Sequence, residues 1–461
     1  MKGTTKRIIN FRFDRYEDTE NKLKKLAAKG LFLEECGSLL WTFRKGEPKK
    51  LKYTVTYFSE GSVFNPDITD NQQTYFDYAK AAGWNFVTQL NQMQIFCSEA
   101  DNPIPFETDE KEKFNNIKRC MKKSFIPSMF MIILIFILNM FLQFNSFQRD
   151  PIDFLSDTSR LFSVSMMLVG TIYLMYSLLD YFAWCKRSER SIANGGGCAE
   201  SNNTIHKIVD TLFMIFIFGF AGYILFHIAF ETGWIILLFI AQMPILTFVF
   251  LTSIKYLKRK KVSAVKNKVI SVTLLTIVTF AYIAFIMIFV MKFGFNTDNG
   301  SDYRTVSWPV NAAHNREYKL YNDDIPLTCE DLYGEIDYDY YSYEEKKDST
   351  LFLSKSVYRQ DSLPAKNSPP EIEYEILETQ FDFIYQLSKE HLLKIPEWRD
   401  NTGFESVDNE AFGTKEAYQR YYVDNPTGEY ILLFDNKIIV LNMEKPVTAE
   451  QVKIIKEKLQ I

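Results

Sequence analysis

The chain has 461 residues, a formal net charge of −4 and 47% hydrophobic residues. Its 40 Phe and 26 Tyr carry too much apolar surface for a disordered chain. Six Cys are too sparse for a disulfide scaffold, and the net negative charge argues against direct nucleic-acid binding. The mean hydropathy of −0.13 resembles that of a soluble protein, but the apolar residues are gathered into blocks.

The first hundred residues read as an α+β domain. Residues 6–13 put Ile9, Phe11 and Phe13 on one face of a strand. Tyr16–Lys29 reads as a helix with Leu23, Leu26 and Ala27 inward, stopped by Gly30. Leu31–Glu34, Leu39–Arg44 and Lys52–Phe58 read as strands. A turn through Asn65-Pro66-Asp67 leads to a helix capped by Thr69 or Asp70 and ended by Gly83. Trp84–Thr88 and Met93–Cys97 close the domain as a hairpin. Leu26–Leu31 and Ala79–Trp84 echo one another: a helix end, a glycine, then a large apolar residue opening a strand. Two such halves predict a ferredoxin-like α+β sandwich.

These residues resemble the bacterial family called domain of unknown function 2812. The resemblance rests on Phe11 and Phe13, Glu20 and Leu23, Gly30-Leu31, and Tyr53-x-Val55-x-Tyr57. It continues through Tyr75-Phe76, Ala82-Gly83-Trp84 and Ile95-Phe96, covering residues 6–98. Lys22 and Thr56 depart from the pattern, which has Trp and Asp there. The resemblance implies a domain followed by membrane spans, encoded beside PadR-type transcriptional repressors, and a membrane component of a regulatory pair. It brings no catalytic residues and no cofactor.

Five segments then meet the ~20 apolar residues that a bilayer core requires of a helix: 125–144, 161–183, 208–230, 233–254 and 269–291. Pro244 sits in the middle of the fourth. The loops alternate in charge. Residues 185–207 carry +2 and residues 255–268 carry +7, whereas residues 145–160, read as a loop, carry −1. Glu231-Thr232-Gly233 is a very short turn. The excess of cations on alternate loops predicts a cytoplasmic N-terminus and an extracytoplasmic C-terminal region in the cell membrane. In the basic loop, Lys258, Arg259, Lys260 and Lys261 set topology and meet anionic lipid.

Residues 293–461 form a second α+β domain with 18 Lys and Arg against 32 Asp and Glu, a net −14. Tyr338–Tyr343 and Leu351–Tyr358 read as strands paired around Glu344–Ser349. Ile372–Leu377 leads into a helix over Gln380–Leu393. Residues 364–370 and 396–412 read as loops. Tyr430–Phe434 and Ile438–Met443 make a hairpin, and Ala449–Leu459 a final helix. The chain therefore divides into a cytoplasmic domain (1–123), a five-helix membrane region (124–292) and an acidic outer domain (293–461).

Few groups carry chemistry. Asp180 and His227 are ionisable residues within spans, so both are candidate functional groups; both lie about one turn from a span end, within reach of headgroups. Asp337, Asp339 and Tyr341 share one face if the segment is a strand, a candidate patch for a cation or cationic peptide. Cys185, Cys198 and His206 are spaced like no zinc site. Gly195-Gly196-Gly197 lacks the following Lys-Ser/Thr of a phosphate loop and reads as a flexible linker. No nucleophile–base signature argues for an enzyme, and no cofactor or metal is implied. The layout favours a regulatory or signal-relay protein with the lipid bilayer and a cytoplasmic regulatory protein as partners. The alternative is an accessory subunit of a transporter or export complex.

Overall fold

The structure is a computed structural model that describes residues 3–459 except 10, 12, 38–39, 66, 106–108, 200–202, 228–232, 294–301, 312–313, 364–368 and 395–401. It divides into two compact units, residues 1–137 with 169–297 and residues 138–168 with 298–461.

The first unit begins with a doubled β-α-β-β motif. β1 (Thr4–Ile8), α1 (Tyr16–Ala27), β2 (Leu31–Glu35) and β3 (Leu40–Lys45) form the first copy. β4 (Lys52–Tyr57), α2 (Asp70–Ala81), β5 (Asn85–Leu90) and β6 (Met93–Ser98) form the second. Each copy makes its own antiparallel three-stranded sheet, ordered β1-β3-β2 and β4-β6-β5. In each, the last strand lies between the two that flank the helix. The echo at the helix ends has a backbone cause. Gly30 and Gly83 adopt φ of +77° and +87°, a conformation that costs glycine little. At Gly30 a Cβ would also lie 2.3 Å from the Gly46 carbonyl oxygen. Thr69, rather than Asp70, caps α2, accepting from Gln72 N at 3.2 Å.

The first strand ends earlier than its apolar alternation suggests. Phe13 instead opens a 3-10 turn, Phe13–Arg15. The turn carries its ring to the aromatic side chains of a membrane helix, a partner that local periodicity does not contain.

After the domain, α3 (Glu110–Lys123) runs into α4 (Phe125–Arg149). α6 (Thr158–Ala193), α7 (Asn203–His227), α8 (Gly233–Arg259) and α9 (Ala264–Phe293) follow, with the short α5 (Pro151–Ser156) between α4 and α6. Among the described residues, four helical stretches are long and apolar enough to cross a membrane: Glu110–Arg149, Thr158–Ala193, Thr204–Tyr223 and Ala264–Phe289. The expected span over 233–254 folds as α8, with Pro244 inside it. The turn expected at 231–233 lies largely outside the described residues.

The first unit is held by one core that joins domain and helices. Ile9, Trp41, Phe43, Val55 and Ile95 share it with Ile117 of α3 and with Tyr181, Trp184 and Cys185 of α6. The Phe13 ring meets Tyr181 and Trp184 edge-on, at centroid distances of 5.3 and 5.6 Å, a preferred aromatic geometry. Trp184 Nε1 donates to Ala199 O at 2.9 Å, and Ser188 Oγ accepts from Ala199 N at 3.0 Å. Gly195-Gly196-Gly197 is thus a tight turn folding the chain back on α6, not the flexible linker expected. Gly195 N and Gly196 N donate to Ile192 O and Ser191 O. At the α8–α9 turn, Asn267 Nδ2 donates to Phe64 O at 3.1 Å.

In the second unit, β9 (Tyr341–Ser349), β10 (Ser354–Ser362), β11 (Ile372–Glu378), β12 (Thr402–Ser406), β13 (Glu416–Tyr422), β14 (Asn425–Leu433) and β15 (Lys437–Met443) make one antiparallel sheet, ordered β12-β13-β14-β15-β11-β10-β9. Before it come a hairpin, Tyr303–Asn311 with His314–Tyr321, which we label β7 and β8, and the helix α10 (Cys329–Tyr333). α11 (Asp382–Leu393), α12 (Asn409–Phe412) and α13 (Ala449–Lys458) complete the unit. One core joins Leu327, Cys329, Phe412, Val452 and Ile455 to Tyr374, Leu432 and Leu441 of the sheet. A second joins Leu377, Ile431, Leu433 and Ile438 to Ile384 of α11 and Ile152 of α5.

Three segments fold otherwise than their sequence pattern suggests. Residues 145–160 are not a loop: they hold α5, which packs on this sheet. Thr350 Oγ1 donates to Leu155 O at 2.6 Å. Lys355 Nζ lies 2.7 Å from Asp153 Oδ1 and 3.4 Å from Glu375 Oε2. Burial works against the Lys355 charge, but the two carboxylates hold its pKa above the ordinary lysine value. Of the loop expected over 396–412, residues 396–401 lie outside the described residues, and 402–412 hold β12 and α12. The β9–β10 turn lies at Thr350–Leu353 rather than 344–349. Glu344 to Asp348 are strand residues, and a charged edge strand such as β9 resists pairing with other chains.

In the first unit, Glu20 of α1 seals an open edge of β4. Its Oε1 accepts from Val55 N at 2.7 Å and from Thr54 Oγ1 at 3.4 Å. Burial raises its pKa from 4.5 to about 7, although the Val55 N–H and Lys113 act in the opposite sense. The resulting stability is complete below pH 4.5 and is lost as pH rises through about 7. Glu20→Gln keeps an acceptor without the charge. It should raise Val55 amide protection at pH 8 by about 2 kcal/mol and remove most of its pH dependence between 5 and 8. Hydrogen exchange corrected for intrinsic rates measures this.

Candidate functional site

Tyr173, Tyr176 and Asp180 are spaced three and four residues apart on α6, so they share one face. His206 and Asp210 are four apart on α7. The two faces join in a polar chain. His206 Nε2 lies 3.3 Å from Asp180 Oδ1, and Nδ1 lies 2.6 Å from the Tyr176 hydroxyl. The tautomer sets the direction of both bonds: with the proton on Nε2, the ring donates to Asp180 and Nδ1 accepts from the Tyr176 hydroxyl. Beside this chain the Tyr173 hydroxyl donates to Asp210 Oδ1 at 3.1 Å. The Tyr173 ring stacks on Phe213 at 3.9 Å and 3°.

Asp180 therefore does not reach towards headgroups, as its place near a span end suggested. Its side chain is 10% exposed and that of His206 4%. A buried carboxylate is tolerated when paired, and the imidazole supplies the pair. Sequence reasoning set His206 beside Cys185 and Cys198 and missed its role. The available signal was the i, i+4 pair His206 and Asp210 opening an apolar helix, opposite the Tyr–Tyr–Asp stripe. Chemically the Tyr176–His206–Asp180 chain can hold a proton between fixed partners. Among the described residues, no group of three His, Cys, Asp or Glu is arranged to hold a metal ion.

Asp210 lines two hollows. One, of about 660 Å³, lies between the N-terminal domain and α4, α6 and α7; Phe13, Tyr57, Met93, Phe125 and Leu174 are among its walls. It is of a size that holds a small ligand. The other, of about 990 Å³, separates α1 from α7.

The other sequence candidates fare differently. The His227 side chain lies outside the described ones. Lys258 and Arg259 occupy the last turn of α8, where they oppose its C-terminal dipole. Lys260 and Lys261 form the turn beyond, and Lys261 Nζ lies 3.7 Å from Asp67 with both side chains exposed; such a pair adds little stability. Asp337 and Asp339 precede β9 in irregular chain, so the alternation that would align them with Tyr341 does not exist. Asp339 and Tyr341 line a hollow of about 370 Å³ together with Tyr303, Arg304, Tyr338 and Tyr343; Asp337 is exposed. Tyr341 is buried and its hydroxyl donates to Pro370 O at 2.9 Å. Cations of the chain itself already lie over neighbouring rings. Lys319 Nζ is 4.3 Å from the Tyr303 centroid, and the Arg304 guanidinium 5.9 Å from that of Tyr340.

Comparison with known proteins gives one match. Residues 15–129, from the turn before α1 into α4, match the model of a family described as "Protein of unknown function (DUF2812)". No curated protein and no solved structure matches the chain.

The polar chain between α6 and α7 makes a quantitative expectation. Asp180→Asn and His206→Gln should each lower the melting temperature of the full chain in detergent micelles. Together they should destabilise less than the sum of the two, with a coupling of about 1–2 kcal/mol. Additive losses would mean that the two side chains do not interact.

Proposed function

Residues 15–129 belong to the DUF2812 family, and from that premise we propose that the chain is a multi-pass membrane protein of regulatory or signal-relay type. An acidic C-terminal domain outside the cell is coupled to a ferredoxin-like N-terminal domain in the cytoplasm, where a regulatory protein docks. For the ferredoxin-like reading, the support is the doubled unit in which the third strand lies between the two that flank the helix.

The observation that carries the proposal is α6. It is one uninterrupted helix of 36 residues, roughly 54 Å at 1.5 Å per residue. Near its C-terminal end Tyr181, Trp184 and Cys185 are buried with the N-terminal domain. At its first turn Asp157 accepts from Ser159 N and Arg160 N. The preceding residue, Ser156, ends α5, which packs on the C-terminal sheet. A helix anchored at both ends transmits a shift of one anchor to the other.

Five crossings are supported by which loop touches which domain. The chain around 184–199 and 267 packs with the N-terminal domain, and 150–157 packs with the C-terminal one. An odd number of spans, with α8 as the fourth, satisfies all of these contacts. The accessory-subunit alternative would draw on the hollow beside Asp210.

Two experiments test the proposal. In intact cells a membrane-impermeant maleimide should label Leu351→Cys but not Lys261→Cys; the reverse pattern refutes the orientation. Lys355→Met removes the partner that ties Asp153 to the sheet. In the full chain in nanodiscs, it should raise hydrogen exchange around Tyr181–Cys185 several-fold, although that site lies in the other unit. Unchanged exchange there, with faster exchange in α5, would refute the relay.

A further inference from the structure

The hollow between α1 and α7 has a polarity that its neighbours lack. From α1 and the residue before it, Arg15, Asp18, Lys22 and Lys25 line it at spacings of three, four and three. From α7, Lys207, Thr211, Met214 and Phe218 line it at four, three and four. Each set is one stripe of a helix. Four cations face two carboxylates, Asp18 and Asp210. The α7 stripe passes from a cation through a hydroxyl to apolar side chains, and it does so along a helix apolar enough to cross a membrane. Met214, Ile215 and Phe218 are 49%, 63% and 67% exposed.

We propose that this groove is a binding site for one anionic phospholipid of the leaflet beside the N-terminal domain. The phosphate lies among Lys22, Lys25 and Lys207, with Thr211 within hydrogen-bonding reach, and an acyl chain lies along Met214 and Phe218. Charge complementarity selects the anionic headgroup. The apolar stripe continuous with the cations selects a lipid over a soluble phosphate. The site differs from the basic segment 255–268 around the α8–α9 turn, which carries more cations but presents nearly all of them exposed. It does not depend on the relay reading, since a lipid bound there needs only α1 and α7.

Native mass spectrometry of the full chain with phosphatidylglycerol and phosphatidylcholine of matched chains tests it. The wild type should retain phosphatidylglycerol in preference, and K22Q/K25Q/K207Q should lower that preference about tenfold while melting like the wild type in phosphatidylcholine. K258Q/R259Q/K260Q should leave it unchanged. A photo-crosslinking residue at Thr211, in an otherwise unaltered chain, should capture phosphatidylglycerol, which keeps the test decisive if the triple variant misfolds. An unchanged preference in the groove variant, an equal loss in the turn variant, or no capture at Thr211 would overturn the proposal. Displacement by glycerol 3-phosphate at the same concentration would overturn it in favour of a soluble phosphoester.

Discussion

The first unit depends on burying the C-terminal part of the long apolar helix α6 in the core of the N-terminal α+β domain. Trp184 and Tyr181 are each 1% exposed, and full burial of large aromatic side chains stabilises by roughly 2–3 kcal/mol each. Aromatic rings of α1's preceding turn, α3 and α4 surround them: Phe13, Phe114 and Phe125. This contact explains why the first strand stops early, since Phe13 must leave the sheet to reach α6. It also explains why the glycine run after α6 is ordered, because Ala199 must return to Trp184 Nε1.

Two buried polar side chains find their partners on other elements. Asp180 of α6 meets His206 of α7, and Lys355 of β10 meets Asp153 of α5 and Glu375 of β11. Such pairs add little net stability relative to apolar packing, but losing one partner is costly. They therefore select register and docking more than they add strength. The two carboxylates around Lys355 respond differently. Burial is the largest influence on Asp153 and raises its pKa, but the hydrogen bond to Lys355 and the charges of Lys355, Arg160 and Lys346 together outweigh it, and the net shift is down. Burial raises that of Glu375, which sits further from the ammonium.

Much of the fold was legible because its causes are local. The β14–β15 hairpin and the last helix, opened by a capping box at Thr448, follow from alternation and from side chains that satisfy helix-end N–H groups. Gly30 and Gly83 mark helix ends through φ alone. Where the reading failed, charge or distance was responsible. The segment 344–348 is too charged to suggest a strand, yet an edge position tolerates it. Residues 151–156 are too short to register as a helix, yet packing on a sheet some 200 residues later in the chain sustains them. Asp180 was legible as a functional candidate, but His206 was not, because its partner lies on another helix.

By itself the amino-acid sequence determined the apolar blocks, the segregation of charge along the chain, the helix caps and the doubled N-terminal motif. All of these rest on interactions within a few residues or on hydropathy summed over about twenty. Tertiary structure alone decided that His206 meets Asp180, that α5 belongs to the C-terminal sheet, that Asp337 and Tyr341 do not share a face, and that a basic stripe of α1 lies opposite an amphipathic stripe of α7. Those pairings join residues tens to hundreds of positions apart, and no periodicity in the chain encodes which distant surface will cover which.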